Sequence, residues 1–366
     1  MNEPLYFESV DVVGVRNLRP ARIEFCANLN VVSGDNGQGK TSLLEALVLA
    51  ATARSFRTDL AREVITTGAL QAQVVARISR AGLGCEQSVR LTSARKDVAQ
   101  DGKRPKNLAR FGAQTPLVVF HPNDLELVKG SARLRRVLLD RISLYLDPVS
   151  ADQRQRYHRA MRERQRLLVE HGTAAAGLSS FERLAAQDGS AVAAAHERAV
   201  AQLLPCLAAA FEGLADPSLR LSARYVAGGC TDAREFEARL AHSRRADLQR
   251  KKATFGPQRD DLELYLNDRT ARQHASQGQQ RLLTVALKLA ELGCVERAQQ
   301  LRPVLLLDDV SSELDPRRLR GVLEHLEQND NQVFVTTTRA DLLDVPSLKV
   351  ANRLDLAVSE GTVHQL

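Results

Sequence analysis

Apolar positions along the chain change their spacing several times, and each spacing predicts an element. From Leu5 to Val32 they come in short runs broken by turn residues: Leu5 to Val12, Ala21 to Phe25 and Leu29 to Val32. The second run alternates strictly, the period-two signature of a half-buried strand. Beyond Thr41 the apolar positions are Leu43, Leu44, Leu47 and Val48, which predicts a helix to about Ala53 with one face on a sheet. Alternation returns in Gln73 to Ser79 and Gln87 to Thr92, around Gly82-Leu83-Gly84, and predicts a hairpin. Leu117-Val118-Val119-Phe120 is a continuous apolar run of the kind a strand covered on both faces shows.

From about Leu125 to Lys252 the spacing becomes helical and rich in Ala and Arg, with turn signals near Gly172 and Gly189 and breaks at Pro205 and Pro217. Apolar heptads are not sustained, so no long coiled coil is predicted. A strand follows at Leu262 to Leu266, a turn at Asn267-Asp268-Arg269, a helix from Leu282 to Leu292, and a buried strand, Val304 to Leu307, that ends in Asp308-Asp309. The pattern predicts an α/β fold of two lobes: a split lobe of mixed sheet and helices, 1–121 with 253–366, and an inserted, mainly helical lobe, 122–252.

Chemistry enters at Gly34-Asp35-Asn36-Gly37-Gln38-Gly39-Lys40-Thr41, which fits G-x-x-x-x-G-K-[ST] between a predicted strand and a predicted helix. Glycines let such a loop turn successive N–H groups onto phosphate oxygens at the positive end of the following helix. Asn36, Gly37, Gln38, Gly39, Lys40, Thr41 and Ser42 are therefore candidate nucleotide contacts. Lys40 would reach the β- and γ-phosphates of ATP, and Thr41 would hold Mg²⁺. A strand-end carboxylate beside that loop completes a metal site, which suits Asp308. Asp309 is placed to polarise the attacking water, as general base or as orienter. Lys40 and Asp308 are 268 positions apart, so one sheet must be assembled around an insertion.

With 366 residues and 44% hydrophobic composition the chain can bury two moderate cores. It holds no apolar run long enough to span a bilayer, and Met1-Asn2-Glu3-Pro4 lacks the regions of a secretory signal. A cytoplasmic location and no membrane partner are expected. Cys26, Cys85, Cys206, Cys230 and Cys294 lie far apart with no C-x-x-C pair, which indicates neither zinc nor a disulfide framework. The net charge of +7 favours a polyanionic partner. With 42 arginines to nine lysines, the bias also fits genome base composition. Tryptophan is absent and aromatics are 4%, so nucleic-acid contact would grip backbone phosphates rather than stack bases. The loop Ala53-Arg54-Ser55-Phe56-Arg57-Thr58 is either solvated or a phosphate contact. The same two readings hold for the basic stretch from Arg133 to Arg166, which includes Arg135 and Arg136.

Taken together, the phosphate loop, the signature-like Ser276-Gln277-Gly278-Gln279-Gln280, the Asp308-Asp309 pair and the D-loop-like Ser312-Glu313-Leu314-Asp315 resemble an ABC-type ATPase head of the SMC and RecF class. The resemblance is closest to the RecF family, through residues 53–58, Phe120-His121-Pro122-Asn123-Asp124 with the residues to Gly130, Gly256-Pro257-Gln258-Arg259-Asp260-Asp261, and Val333 to Thr338. It implies that Ser276, with Gly278, Gln279 and Asp315, completes the ATP site of a second copy, giving an ATP-dependent homodimer. It also implies a clamp on double-stranded, gapped or junction DNA, with Arg54, Arg57, Arg135 and Arg136 as candidate contacts, and cooperation with RecR and RecO in loading RecA. Three departures stand out: His121-Pro122-Asn123-Asp124 replaces the usual glutamine, Gln258 stands for an expected histidine, and Thr337 or Thr338 takes the switch-histidine position. A threonine supplies no imidazolium to the γ-phosphate, so slow hydrolysis is expected. The ATPase subunit of a membrane transporter, or another SMC-like DNA-bound ATPase, are the rival readings.

Overall fold

The computed structural model describes residues 3–309, 331–339 and 353–366, which cluster into two compact units, 1–124 with 295–366 and 125–294. In chain order the elements are β1 (Leu5–Val13), β2 (Ala21–Glu24), β3 (Leu29–Ser33), α1 (Lys40–Thr52), α2 (Ala61–Val64), β4 (Gln71–Arg80), β5 (Leu83–Thr92), β6 (Lys96–Gln100), α3 (Leu108–Gln114) and β7 (Leu117–Phe120). Then come α4 (Glu126–Lys129), α5 (Ala132–Leu146), α6 (Val149–His171), α7 (Leu178–Leu214), β8 (Leu221–Val226), α8 (Ala233–Arg250), β9 (Asp261–Leu266), β10 (Arg269–Thr270), α9 (Ala271–His274) and α10 (Gln277–Gln299). The chain closes with β11 (Val304–Leu307), β12 (Val333–Thr337), β13 (Arg353–Ser359) and β14 (Thr362–Gln365).

The first unit holds two sheets. One, ordered β14-β13-β3-β12-β11-β7, is parallel except for the β13–β14 hairpin, and its central strands β3, β11 and β12 are apolar and buried almost throughout. Parallel strands covered on both faces require such continuous runs. The other sheet, β2-β1-β4-β5-β6, is antiparallel, and its β4–β5 hairpin turns at Ala81 and Gly82, both with positive φ. Helix α1 was expected to bury one face. Nearly all of its residues from Lys40 to Ala51 are buried, in one core with Phe7, Val10, Val74 and Ile78 of the antiparallel sheet and Val32, Leu306 and Phe334 of the other.

The second unit is mainly helical. Helix α7 runs unbroken through Gly189 and Pro205, where turns were expected. The glycine is a close-approach position instead: a Cβ there would lie 2.6 Å from Phe236 and 2.8 Å from Tyr157. Helix propensity loses here to interhelix packing. Strand β8, unforeseen within a helical stretch, pairs antiparallel with β9. Residues 253–294, assigned by sequence to the ATPase lobe, cluster with the helical unit, because β9 joins β8, and Leu283, Ala286 and Leu287 of α10 share a core with Leu138 and Ile142 of α5 and Leu203 and Leu207 of α7.

Candidate nucleotide site

Strand β3 delivers the chain to the phosphate loop, and α1 leaves it. Gly34 (φ 147°) and Gly39 (φ 125°) adopt backbone angles that other residues rarely reach, and a Cβ on Gly34 would meet the Val358 carbonyl oxygen at 2.3 Å. The loop is thus wedged against β13, and only glycine fits. Lys40 Nζ donates to the carbonyls of Gly34 (2.6 Å) and Asp35 (2.8 Å). Burial holds its pKa below the ordinary lysine value, against the pull of Asp309, Asp308 and Asp35.

Asp308 leaves the end of β11, where its N–H donates to Phe120 O of β7 (2.8 Å). Thr41 Oγ1 and Thr336 Oγ1 each donate to Asp308 Oδ1 at 2.9 Å. Burial raises the Asp308 carboxyl above the usual range; the two hydroxyls oppose the shift and Asp309 adds to it. Asp309 has a left-handed backbone (φ 49°), and its N–H donates to Thr336 Oγ1 (2.8 Å). The donor set fits Mg²⁺: a hydroxyl and a carboxylate oxygen converge beside a phosphate loop, and magnesium in such sites takes one or two protein oxygens plus phosphate and water. Asn36, Gly37, Gly39, Lys40, Thr41, Ser42, Asp308 and Asp309 line one polar cleft of about 570 Å³. Gln38 instead faces the β13–β14 turn, where its Oε1 and O accept from the N–H groups of Glu360 (2.5 Å) and Gly361 (3.0 Å).

Several contributors lie outside any motif. Asn17 Nδ2 donates to Gly37 O (2.9 Å), and its Oδ1 accepts from Ser42 Oγ (2.8 Å), bracing the loop across its mouth. Glu45, fully buried in α1, accepts two bonds from Arg16 (2.8 Å each), one from Ser55 (2.6 Å) and a longer one from Arg57 (3.4 Å). Arg16 and Arg57 both line the cleft. These residues are twenty or more positions apart in part, so no spacing rule announces them. Thr336, rather than Thr337, touches Asp308; Thr337 is buried and its hydroxyl pairs with the backbone of Arg339. His121, at the end of β7, stacks on Phe56 with centroids 5.5 Å apart.

In the helical unit, Ser276 opens α10 with a reciprocal cap: Gln279 N donates to Ser276 Oγ (3.3 Å), and Ser276 N donates to Gln279 Oε1 (2.9 Å). Ser276 and Gly278 are exposed. Asp315 and the rest of Ser312-Glu313-Leu314-Asp315 lie outside the described residues. Two of the four candidate DNA arginines are spent internally. Arg135 is buried and bidentate with Asp261 (2.7 and 3.0 Å), which holds the unit together, and half-buried Arg136 donates to Asp260 O (2.8 Å). Arg54 is exposed. Gln258 is committed too, accepting from Tyr157 and donating to Phe255 O (2.7 Å).

Comparison with known proteins agrees with this geometry. The family model described as RecF/RecN/SMC N terminal domain matches residues 6–352, which makes the chain an ATPase head of that class. Within the class it belongs to the RecF family. It is 34% identical over 362 residues to the DNA replication and repair protein RecF of Myxococcus xanthus (93% of this chain, 95% of that protein). It is 32% identical over 366 residues to RecF of Geobacter sulfurreducens (98% and 99%). A solved structure of the recombination mediator protein RecF with ATP, described as part of the RecFOR pathway, superposes with TM-score 0.89 at 26% identity, covering 100% of this chain and 99% of that one. An SMC head domain derived from Pyrococcus furiosus shares the fold, with TM-score 0.57 at 15% identity. Membership sets the transporter reading aside. No helix among the described residues is long and apolar enough to cross a membrane.

Proposed function

We propose that this chain is an ATP-dependent, DNA-binding mediator of recombination and repair that dimerises on ATP and hydrolyses it slowly. The observation that carries the reading is the joint of Lys40, Thr41 and Asp308. A lysine resting on its own loop carbonyls and a hydroxyl resting on a strand-end carboxylate exchange those partners when a triphosphate enters the cleft. Lys40 then reaches the β- and γ-phosphates, while loop N–H groups from Asn36 to Ser42 close on their oxygens. Thr41 and Asp308 would hold Mg²⁺, which when bound neutralises phosphate charge. Asp309 orients or deprotonates the attacking water. Thr337, with no imidazolium and its hydroxyl turned onto Arg339, supports slow turnover.

The exposed start of α10 supplies the second half of the proposal. Ser276, with Gly278 and Gln279, would meet the γ-phosphate of a second copy, and Asp315 would join it, so that two ATP molecules close a two-fold dimer. Hydrolysis then times release from gapped or junction DNA. The RecFOR pathway of the solved relative supports RecR and RecO as partners; RecA loading and a cytoplasmic location belong to the same proposal. Light scattering with ADP, with ATP and with ATP plus gapped duplex tests the clamp. A dimer with ATP that DNA strengthens, absent in Lys40→Ala, is expected; a monomer under all three conditions overturns it.

A further inference from the structure

The stretch from Gly102 to Asn123 contains Lys103, Arg104, Lys106 and Arg110 and no acid at all. All four side chains are exposed, and none makes an ion pair among the described residues. Their backbone is fixed. Lys103 sits on a tight turn at Asp101 and Gly102 (φ 48° and 73°) closed by two bonds, Gln100 N to Lys103 O (2.8 Å) and Lys103 N to Gln100 O (2.9 Å). Asn107 caps α3, its Oδ1 accepting from Ala109 N (2.6 Å) and Arg110 N (3.2 Å), which places Lys106 just before the helix and Arg110 in its first turn. That end of a helix repels cations, and no acid in the first turn offsets them. The chain therefore keeps cations where the fold itself disfavours them.

Helix α3 runs beside the end of α1: a Cβ on Gly112 would lie 3.7 Å from Thr52 Cα. Exposed Arg54 follows there, and Lys96 Nζ donates to Ala53 O (2.6 Å). Burial and the nearby Arg54 charge hold Lys96 below the ordinary lysine value, and neither of these two neighbouring cations makes an ion pair among the described residues. We propose that Lys103, Arg104, Lys106 and Arg110, continued by Arg54 and Lys96, form the surface on which duplex DNA is gripped by its phosphates, in place of Arg135 and Arg136. No Tyr, Phe or Trp lies among the exposed residues of this stretch, which suits a polyanion held by charge and not a base read by stacking. The assignment rests on the DNA-binding reading above and narrows it to one face of the ATPase unit.

The salt dependence of affinity for a short blunt duplex tests it, because each phosphate contact adds about 0.9 to the slope of log affinity against log salt. The triple variant Lys103→Glu, Arg104→Glu, Lys106→Glu should lose about 3 from that slope, and the single neutral variant Lys106→Gln about 1. Arg159→Glu with Arg162→Glu, the same kind of reversal on exposed positions of the helical unit, should leave the slope unchanged. ATP binding, read on the same preparations, should be equal in all. Wild-type binding with an unaltered slope in both the triple and single variants overturns the surface while leaving the DNA-binding reading in place. A wild-type protein with no salt-dependent duplex binding overturns both.

Discussion

In the helical unit Arg164 has no exposed surface, yet it is paired with Asp247 (2.7 Å) and Glu182 (3.1 Å) and donates to Leu240 O (2.6 Å). In the ATPase unit Lys40 and Asp308 are also buried, but carbonyls and hydroxyls hold them, and neither makes an ion pair among the described residues. Buried charge costs several kcal/mol of desolvation unless an opposite charge offsets it. The helical unit offsets it internally, which is what a structural network does. The cleft leaves the offset to a ligand, and the shifts of Lys40 and Asp308 toward their neutral forms record the difference.

The comparison breaks first at Arg164. Arg164→Met leaves the buried Asp247 carboxylate with hydroxyl and N–H donors but no counter-charge, while Glu182 keeps its pair with Arg244, and the expected loss is about 3 kcal/mol of unfolding free energy. Denaturant titration of the variant reads it; a loss below about 1 kcal/mol, the range of exposed pairs, would show the network to be solvated. A second network in the same unit titrates. His196 is buried between Asp260 (2.7 Å) and Asp140 (3.1 Å), and Asp260 also accepts from Tyr225 and Gly228 N. Burial opposes the imidazolium, but the bonds and charges of Asp140 and Asp260 outweigh it and raise the pKa to about 9. A raised folded-state pKa stabilises fully below the ordinary value near 6.5 and is lost as pH rises through about 9. The protein should therefore lose on the order of 3 kcal/mol across that window, and His196→Gln should flatten the profile. An equal slope in both proteins would assign the pH dependence to other groups.

On the cleft side the fold disfavours the charged form instead of favouring it, although stability again falls as pH rises because the pKa is again raised. An acid raised above its ordinary pKa destabilises the ionised fold once the pH exceeds that raised value, so the unliganded protein is expected to gain from losing the charge. Asp308→Asn should abolish Mg²⁺-dependent tightening of ATP binding while leaving unliganded stability unchanged or raised. Thermal melting without nucleotide, beside ATP titrations with and without Mg²⁺, separates the two effects. A strongly destabilised unliganded variant would place Asp308 among the structural charges.

This contrast also explains what the sequence discloses. The phosphate loop and Asp308-Asp309 are legible because their chemistry needs contiguous residues at fixed spacing. The strands β3, β7, β9 and β11 are legible because their apolar runs follow the period that burial imposes. Asn17 and Glu45 are not, since each acts through partners brought near only by folding. The basic run through α6 misleads for a related reason: Arg154 and Arg156 pair with Asp140 and Asp188 from other helices, and Arg164 is buried. Sequence counts the cations but not the acids that meet them. Gly189 misleads because a glycine that starts a turn and one that admits a tyrosine ring look alike in one dimension.

The smallest expected effect sits at Ser276, a residue of the helical unit whose exposed side chain accepts, among the described residues, from its own helix. Ser276→Ala removes the oxygen that accepts from Gln279 N, and caps of this kind contribute about 1 kcal/mol. Gln280 N still donates to Ser276 O (2.8 Å), so α10 keeps its first backbone bond and the change should stay local. Ser276→Arg adds bulk and charge at the same exposed point. If Ser276 serves only its helix, both variants lose the cap and dimerise on ATP as before. If it meets the γ-phosphate of a second copy, Ser276→Arg binds ATP normally yet stays monomeric, and equilibrium binding beside sedimentation distinguishes the two. The second outcome would extend the comparison, since an exposed side chain that caps its own helix would also have a partner outside the chain.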